Sequence, residues 1–259
     1  MSMSDAAAHE LRIQEQFTRQ ADTFANVPSH SAESSLSVLL EFAQPKQTDA
    51  ALDVACGPGI VTTAFAPHVG SIRGQDVVPA MVERARARAN ELGMTNVSFD
   101  VGDSNALAYA DAAFDLVVTR FSFHHFHEPL RALSELRRVC KPGGTIVVAD
   151  VAPAPEAVAA YDAAEVLRDP SHTHALTEPE FETLARDAQL RIAARQRYGL
   201  PLALEPQLAA SFPIAGGREQ LREMFRADVG VNRLGIRVHE RDGDLHYVVP
   251  ILVLRLERT

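Results

Sequence analysis

The chain has 259 residues, 46% of them apolar, and a formal net charge of −9. That acidity argues against a nucleic-acid partner, whose phosphates call for a basic face. No apolar run reaches the roughly 18–20 residues of a membrane helix, and the first residues lack the basic and apolar regions of a signal peptide; the expectation is a cytoplasmic protein with no membrane insertion.

Apolar residues at helical spacing predict a helix over 9–25, with Leu11, Phe17, Ala21 and Phe24 on one side and Pro28 as its stop. A second is expected over 31–43, carrying Leu36, Leu39, Leu40 and Phe42. Strands and helices then alternate. Ala50 to Val54 reads as a strand, Ile60 to Ala66 as a helix, and Ile72 to Gln75 as a strand closed by Asp76. Pro79 suits the first turn of a helix that runs to Leu92 and is ended by Gly93. Val97 to Val101 and Phe114 to Thr119 are further strands. A helix over Pro129 to Cys140 leads into Lys141-Pro142-Gly143-Gly144, read as a turn, and then a strand, Thr145 to Ala149. Strands separated by helices of this length predict parallel βαβ crossovers.

After Asp150 the pattern changes. Helices are expected over Ala157 to Leu167 and Glu178 to Ala188, the second opened by a Thr177/Glu180 capping box. Arg191 to Tyr198 and His246 to Leu256 read as strands, the latter preceded by an Asp242-Gly243-Asp244 turn. Between them, Leu204 to Phe212 and Arg218 to Phe225 are helical patches, and the 200–235 block reads as an insertion placed to cover a pocket. Cys56 and Cys140 stand in unrelated contexts, and no disulfide is expected.

The chemistry gathers at the ends of the predicted strands. Leu52-Asp53-Val54-Ala55-Cys56-Gly57-Pro58-Gly59 puts an acid at the end of an apolar run and a Gly-Pro-Gly turn just after it. Glycines there let the backbone turn sharply and a ligand approach closely, and a helix start leaves free N–H groups facing the ligand. Position 62, the third glycine of a dinucleotide fingerprint, is Thr62. Asp76, at the tip of the second strand, can accept both ribose hydroxyls of an adenosine, although its place before Pro79 also suits a helix cap. In the Gly102-Asp103-Ser104 turn, Asp103 can accept from an adenine amine and the Ser104 backbone can donate to the ring.

These segments resemble the class I S-adenosylmethionine (SAM)-dependent methyltransferases, close to the UbiE-like subgroup named after quinone C-methyltransferases. The resemblance rests on the 52–59 segment, Gly74-Gln75-Asp76 with Met81, Gly102-Asp103, Phe114-Asp115-Leu116-Val117-Val118 and Lys141-Pro142-Gly143-Gly144, in order over about residues 15–198. It implies a Rossmann-like seven-stranded α/β sheet, mostly parallel, with helices on both faces and an antiparallel last strand. It implies that Asp53, Ala55, Gly57 and Gly59 hold the methionine part of SAM, Asp76 the ribose, and Asp103 with Ser104 the adenine. Val77 and Met81 are further expected contacts, and Arg120 would lie by the methionine end. An N-terminal helix would fold over the site and bring Phe17 and Phe24 near the cofactor. The implied organisation is one domain over 1–259: cap helices to residue 45, a cofactor core over 46–150, and a C-terminal half with the 200–235 lid.

The sulfonium of SAM activates its methyl group, so transfer needs alignment of a nucleophile and a base where that nucleophile carries a proton. The loop Thr119-Arg120-Phe121-Ser122-Phe123-His124-His125-Phe126-His127 follows the fourth strand. Amino-group methyltransferases of this fold often carry an Asn/Asp-Pro-Pro-aromatic motif there; its absence disfavours amide or adenine methylation. His124 or His125 is the candidate base, and Phe121 a candidate acceptor contact. Asp169-Pro170-Ser171-His172-Thr173-His174 adds His172 as a candidate pocket residue. Convergence of the two histidine groups on a metal would need three or four ligands, which nothing in the spacing fixes; no metal is expected. The Asn-Asp-rich segment of the quinone enzymes is missing after the fifth strand, which argues against a polyprenyl quinone. The expected activity is methylation of an oxygen or carbon on a small apolar or aromatic acceptor, yielding S-adenosylhomocysteine, by a monomer or homodimer. An NAD-dependent oxidoreductase and a non-catalytic SAM-binding protein are the alternatives.

Overall fold

Each short apolar run of the first half becomes a strand. A computed structural model describes residues 3–24 and 33–258. Helices α1 (Met3–Phe24) and α2 (Glu33–Ala43) precede β1 (Ala50–Val54). Then come α3 (Ile60–Phe65), β2 (Ser71–Asp76), α4 (Pro79–Glu91), β3 (Val97–Val101), β4 (Phe114–Arg120), α5 (Pro129–Val139) and β5 (Cys140–Val151). The C-terminal half holds α6 (Val158–Arg168), α7 (Glu178–Asp187), β6 (Leu190–Ala203), α8 (Leu204–Ala210), α9 (Gly217–Asp228), β7 (His239–Arg241) and β8 (Asp244–Arg258). The sheet runs β3-β2-β1-β4-β5-β8-β6, with β7 as a short partner of β8. β1 to β5 pair in parallel, while β8 is antiparallel to both β5 and β6.

Side-chain alternation along the strands supplies two cores, one on each face of the sheet. Val147, Ala149 and Val151 of β5 join Phe65, Leu208 and Phe225 on one face. Ile146 and Val148 join Leu133, Leu136 and Phe181 on the other. The chain reverses direction across the sheet between β1 and β4, whose neighbours lie on opposite sides. The crevice above the carboxyl ends at such a switch point is where open α/β sheets bind ligands.

The structure departs from the sequence reading at several boundaries. α1 begins at Met3, six residues before the expected start. Pro28 and the start of the second helix at residue 31 lie outside the described residues, as does the side chain of Phe24. Lys141 to Gly144 is no separating turn but a bulge inside β5: the β4 register jumps from Phe114↔Cys140 to Leu116↔Thr145. β6 runs on to Ala203, through Gly199 and Pro201, so the first residues of the expected 200–235 insertion belong to the sheet. Proline is tolerated there because β6 is an edge strand. The Thr177/Glu180 capping box is present, and both thiols are free. Among the described residues no helix is long and apolar enough to cross a membrane.

Candidate active site

Three loops leave the carboxyl ends of β1, β2 and β3 side by side. The first turns on Gly57 and Gly59, both at positive φ, +52° and +78°. A Cβ on Gly59 would stand 2.9 Å from Ala85 Cβ, because α4 packs directly against the turn; a Cβ on Gly57 would meet nothing within 4 Å. Ala55 also takes a left-handed conformation, φ 55°, which costs a non-glycine residue about 1–2 kcal/mol. Asp76 is buried and ties the loops together: its Oδ2 accepts the Gly57 N–H at 2.8 Å and its Oδ1 the Val78 N–H at 2.9 Å. The N-cap of α4 is Val78, so the capping role considered for Asp76 is not the one it takes. Burial raises the Asp76 pKa, against the pull of those N–H donors.

Asp53 is almost fully buried. Its Oδ2 accepts the Thr62 hydroxyl at 2.6 Å, so the residue in place of a third glycine is a partner of the first acid. Burial pushes the Asp53 carboxyl up to about 7, with Thr62 and Arg120 restraining the rise. Arg120 follows from β4 and is held over the Phe121 ring at 4.7 Å; burial lowers its pKa.

These residues line one cavity of about 880 Å³, open mouth included. Asp53, Ala55, Gly57, Asp76, Val77, Met81, Ser104, Arg120, Phe121 and His125 of the sequence reading all reach it. Ile13 and Phe17 of α1 close one side, packed in a small apolar cluster with Val78 and Met81. Gly59 stands behind this wall, against α4. Asp103 also falls outside it. It is exposed, and its Oδ1 accepts the Asn105 backbone N–H at 2.8 Å. Gln75, which sequence reasoning passed over, does line the cavity, its Oε1 buried with no partner.

A second cavity, of about 700 Å³, shares Phe17, Phe121 and His125 with the first and adds His124, Tyr161, Tyr247 and aliphatic residues of β6 and β8. Phe121, at φ 57°, stands between the two. His124 is built into this wall from two strands: β4 and β5 run in register to Arg120↔Ala149, so the loop after β4 meets Asp150 at the end of β5. Asp150 is buried; its Oδ2 accepts the N–H groups of Ser122 and Phe123 at 2.9 and 2.7 Å, and its Oδ1 lies 2.6 Å from His124 Nδ1. Burial opposes charge on His124, but the Asp150 carboxylate outweighs it and raises the imidazole pKa. Burial likewise opposes the Asp150 charge, yet the His124 ring and backbone donors hold that carboxyl below its ordinary value. A ring whose Nδ1–H is held by a buried carboxylate is left with Nε2 as the atom that gains or loses the proton, and the raised pKa makes the neutral ring a stronger base there.

His125 differs. Burial and the neighbouring His124 push its pKa down to about 3; its Nδ1 donates to the Ser171 carbonyl at 3.1 Å, and its ring packs edge-on against Phe17 at 5.0 Å. It is a neutral wall shared by the two cavities. His172 is not on that wall. It lines a third cavity with His127 and His174 and is tied to Asp162, Nε2 to Oδ1, at 2.7 Å. Among the described residues no three histidines, cysteines or acids are placed to hold a metal.

Residues 52–148 match the model of a methyltransferase domain family. The chain is 29% identical over 188 residues to a protein named uncharacterized methyltransferase YcgJ of Bacillus subtilis, covering 72% of this chain and 74% of that one. It is 33% identical over 112 residues to the ubiquinone/menaquinone biosynthesis C-methyltransferase UbiE of Bdellovibrio bacteriovorus, 42% of this chain and 47% of that. The crystal structure of YcgJ superposes with a TM-score of 0.80 at 24% identity, over 87% of this chain and 99% of that one. The chain belongs to the class I SAM-dependent methyltransferases.

The first cavity of this methyltransferase fits SAM on its own chemistry. Asp53 and Asp76 put two buried carboxylates into one lining, where Arg120 is the sole guanidinium or ammonium among the described residues. Such a site favours a cationic ligand, and SAM carries a sulfonium and an ammonium. The bare space before Gly57 leaves room for a ligand to approach the backbone closely, while its N–H stays on Asp76.

Proposed function

We propose that this methyltransferase alkylates an oxygen or carbon of a small, apolar or aromatic acceptor held in the second cavity, with His124 as the general base. When bound, the cofactor supplies a methyl carbon activated by its sulfonium. Asp53 and Asp76 hold it, the bare Gly57 backbone lets it come close, and Arg120 lies at the methionine end. Phe17, Phe121 and His125 are common to both cavities and form the passage through which the nucleophile would approach the methyl carbon. His124 Nε2 takes the proton from an acceptor hydroxyl as the new bond forms, and the imidazolium is stabilised by Asp150. Asp103 and Gly59 serve the site from outside its lining, Asp103 at the adenine rim and Gly59 by shaping the turn.

The observation that carries this reading is the His124–Asp150 pair, 2.6 Å apart, on the wall of a largely apolar cavity that adjoins the cofactor cavity. A non-catalytic SAM binder has no use for a carboxylate-oriented histidine there. Transfer of labelled methyl from SAM to a panel of neutral phenols and enols tests it. His124→Ala is expected to lower turnover about 10²–10⁴-fold, the usual share of a general base, and to leave S-adenosylhomocysteine affinity within about twofold because His124 does not line the cofactor cavity. Full turnover in that variant would remove His124 from the mechanism.

A further inference from the structure

The walls of the second cavity that the first does not share carry their own chemistry. Tyr161 of α6 and Tyr247 of β8 both line it. Both are buried, at 6% and 5% exposure, and burial raises both phenol pKa values, so both stay protonated donors. Neither hydroxyl has a protein hydrogen-bond partner among the described residues. Beside them Glu165 and Arg168 are locked together: Arg168 Nε donates to Glu165 Oε2 at 3.0 Å, and its Nη1 donates to Ser211 Oγ at 3.2 Å. The guanidinium is therefore already neutralised by a carboxylate on the same helix. Asp169 lines the cavity too, and Asp150 stands behind His124. An anionic group entering here would meet Glu165, Asp169 and, behind His124, Asp150, while the two groups able to carry positive charge, Arg168 and His124, are each already paired with a carboxylate. Between these polar groups lie Leu200, Leu202, Val249 and Ile251.

We infer that the acceptor is an uncharged, largely apolar hydroxyl compound with a second oxygen, which accepts hydrogen bonds from Tyr161 and Tyr247 while the reacting hydroxyl faces His124. The inference rests on the proposed function, since it takes the second cavity as the acceptor site. A ligand oxygen that accepts from two hydroxyls lining the cavity, and shuts water away from them, gains selectivity over one that leaves both without a partner. The neutral pairing of Glu165 with Arg168 makes the same cavity reject carboxylate-bearing analogues.

The test uses the whole protein saturated with S-adenosylhomocysteine. Calorimetry compares para-phenylphenol, the biphenyl diols with the second hydroxyl on the far ring (meta and para), and the biphenyl with a para hydroxyl and a far-ring carboxylate. The tighter diol is expected to bind at least about tenfold more strongly than the monophenol, and the hydroxy acid more weakly than either. In Tyr161→Phe/Tyr247→Phe the advantage of the diol should shrink to under about threefold, with S-adenosylhomocysteine affinity unchanged as the check on folding. A diol no tighter than the monophenol, a preferred carboxylate, or an advantage that survives in the phenylalanine variant would each overturn the inference. Methyl transfer is followed separately. Tyrosine-dependent diol binding with no methylation sinks the proposed function and leaves the recognition; methylation with no diol preference does the reverse.

Discussion

At the scale of single residues, the informative feature is the carboxyl that burial has pushed up to about 7, Asp53. The shift is set by desolvation, and its sign fixes what a cationic ligand does. With a folded-state pKa above the unfolded one, Asp53 favours folding when protonated, and that contribution is lost as pH rises from about 4 through 7. An ammonium placed against it favours the carboxylate, so binding releases a proton wherever the free protein still holds one. S-adenosylhomocysteine should therefore bind close to tenfold more tightly at pH ~7.5 than at pH ~6, where about a tenth of the carboxyl is ionised. His125, pushed down to about 3, does not titrate in that window. Asp53→Asn keeps a partner for Thr62 and removes the titration; isothermal calorimetry should find its affinity flat over the same range. An equal slope in both proteins would assign the proton elsewhere. Asp53, Asp76 and the histidines were legible as residue types, because each sits where a strand ends. Their partners were not. Asp150 lies 26 residues from His124, and the pair exists only because two parallel strands bring their tips level. Thr62 stands out in the sequence only as the absence of a third glycine, although a hydroxyl in the first turn of α3 is placed to reach back to the strand end.

Among the elements, the glycine turn shows how two neighbouring residues of one type do different work. Gly59 is confined by α4, with Ala85 Cβ 2.9 Å and Ala85 Cα 3.2 Å from any added Cβ. Gly57 faces open space. Gly59→Ala must both strain a left-handed residue and push a helix away, and should cost roughly 2–4 kcal/mol of stability. Gly57→Ala carries only the conformational penalty, about 1 kcal/mol, yet puts a methyl group where the cofactor comes closest. Thermal denaturation and calorimetry together separate the two: the Gly59 variant loses melting temperature first, the Gly57 variant loses S-adenosylhomocysteine affinity first. The reverse order would mean that the open space before Gly57 is not the cofactor's. Most strand and helix limits in the first half are readable because Gly, Pro or Asp lies at or near the end of the run, as Asp76, Gly93 and Gly102 do. Reading failed where such punctuation lies inside an element. Pro142 and the glycines after it are absorbed by the β5 bulge, and Gly199 and Pro201 sit in an edge strand with a spare side. The start of α1 was missed for the opposite reason: Met3 to Ala8 has good helix formers but no apolar stripe to signal them.

For the molecule as a whole, the described side chains of α1 stand apart from both main cores. The described residues of the cores come from the sheet, from α2, and from the helices after it. α1 contributes Ile13 and Phe17 to a separate cluster with Val77, Val78, Ala80 and Met81. Val77 and Met81 also line the cofactor cavity, as do Ile13 and Phe17 themselves. Among its described residues α1 is also tied by His9 Nε2, which donates to the His125 carbonyl at 2.9 Å, by Gln16 Nε2, which donates to the Phe212 carbonyl at 3.4 Å, and by edge-on ring contacts of His9 with His127 and Phe17 with His125. A helix at the rim of the fold, packed by Ile13 and Phe17 on a cluster outside the two main cores, is expected to open at lower free energy than the central strands. A ligand that fills the cavity adds apolar surface beneath Ile13 and Phe17, so it stabilises the docked helix by differential binding. Amide hydrogen exchange should show this as a local effect. Saturating S-adenosylhomocysteine is expected to slow exchange across Ile13 to Phe17 by at least about tenfold, the equivalent of roughly 1.4 kcal/mol. Val147 to Ala149 of β5, buried at the centre of the sheet and expected to exchange only through global unfolding, should gain no more than the overall stabilisation. If the ligand protects β5 as much as it protects α1, the helix is an ordinary part of the fold and not a cover whose closure depends on the cofactor.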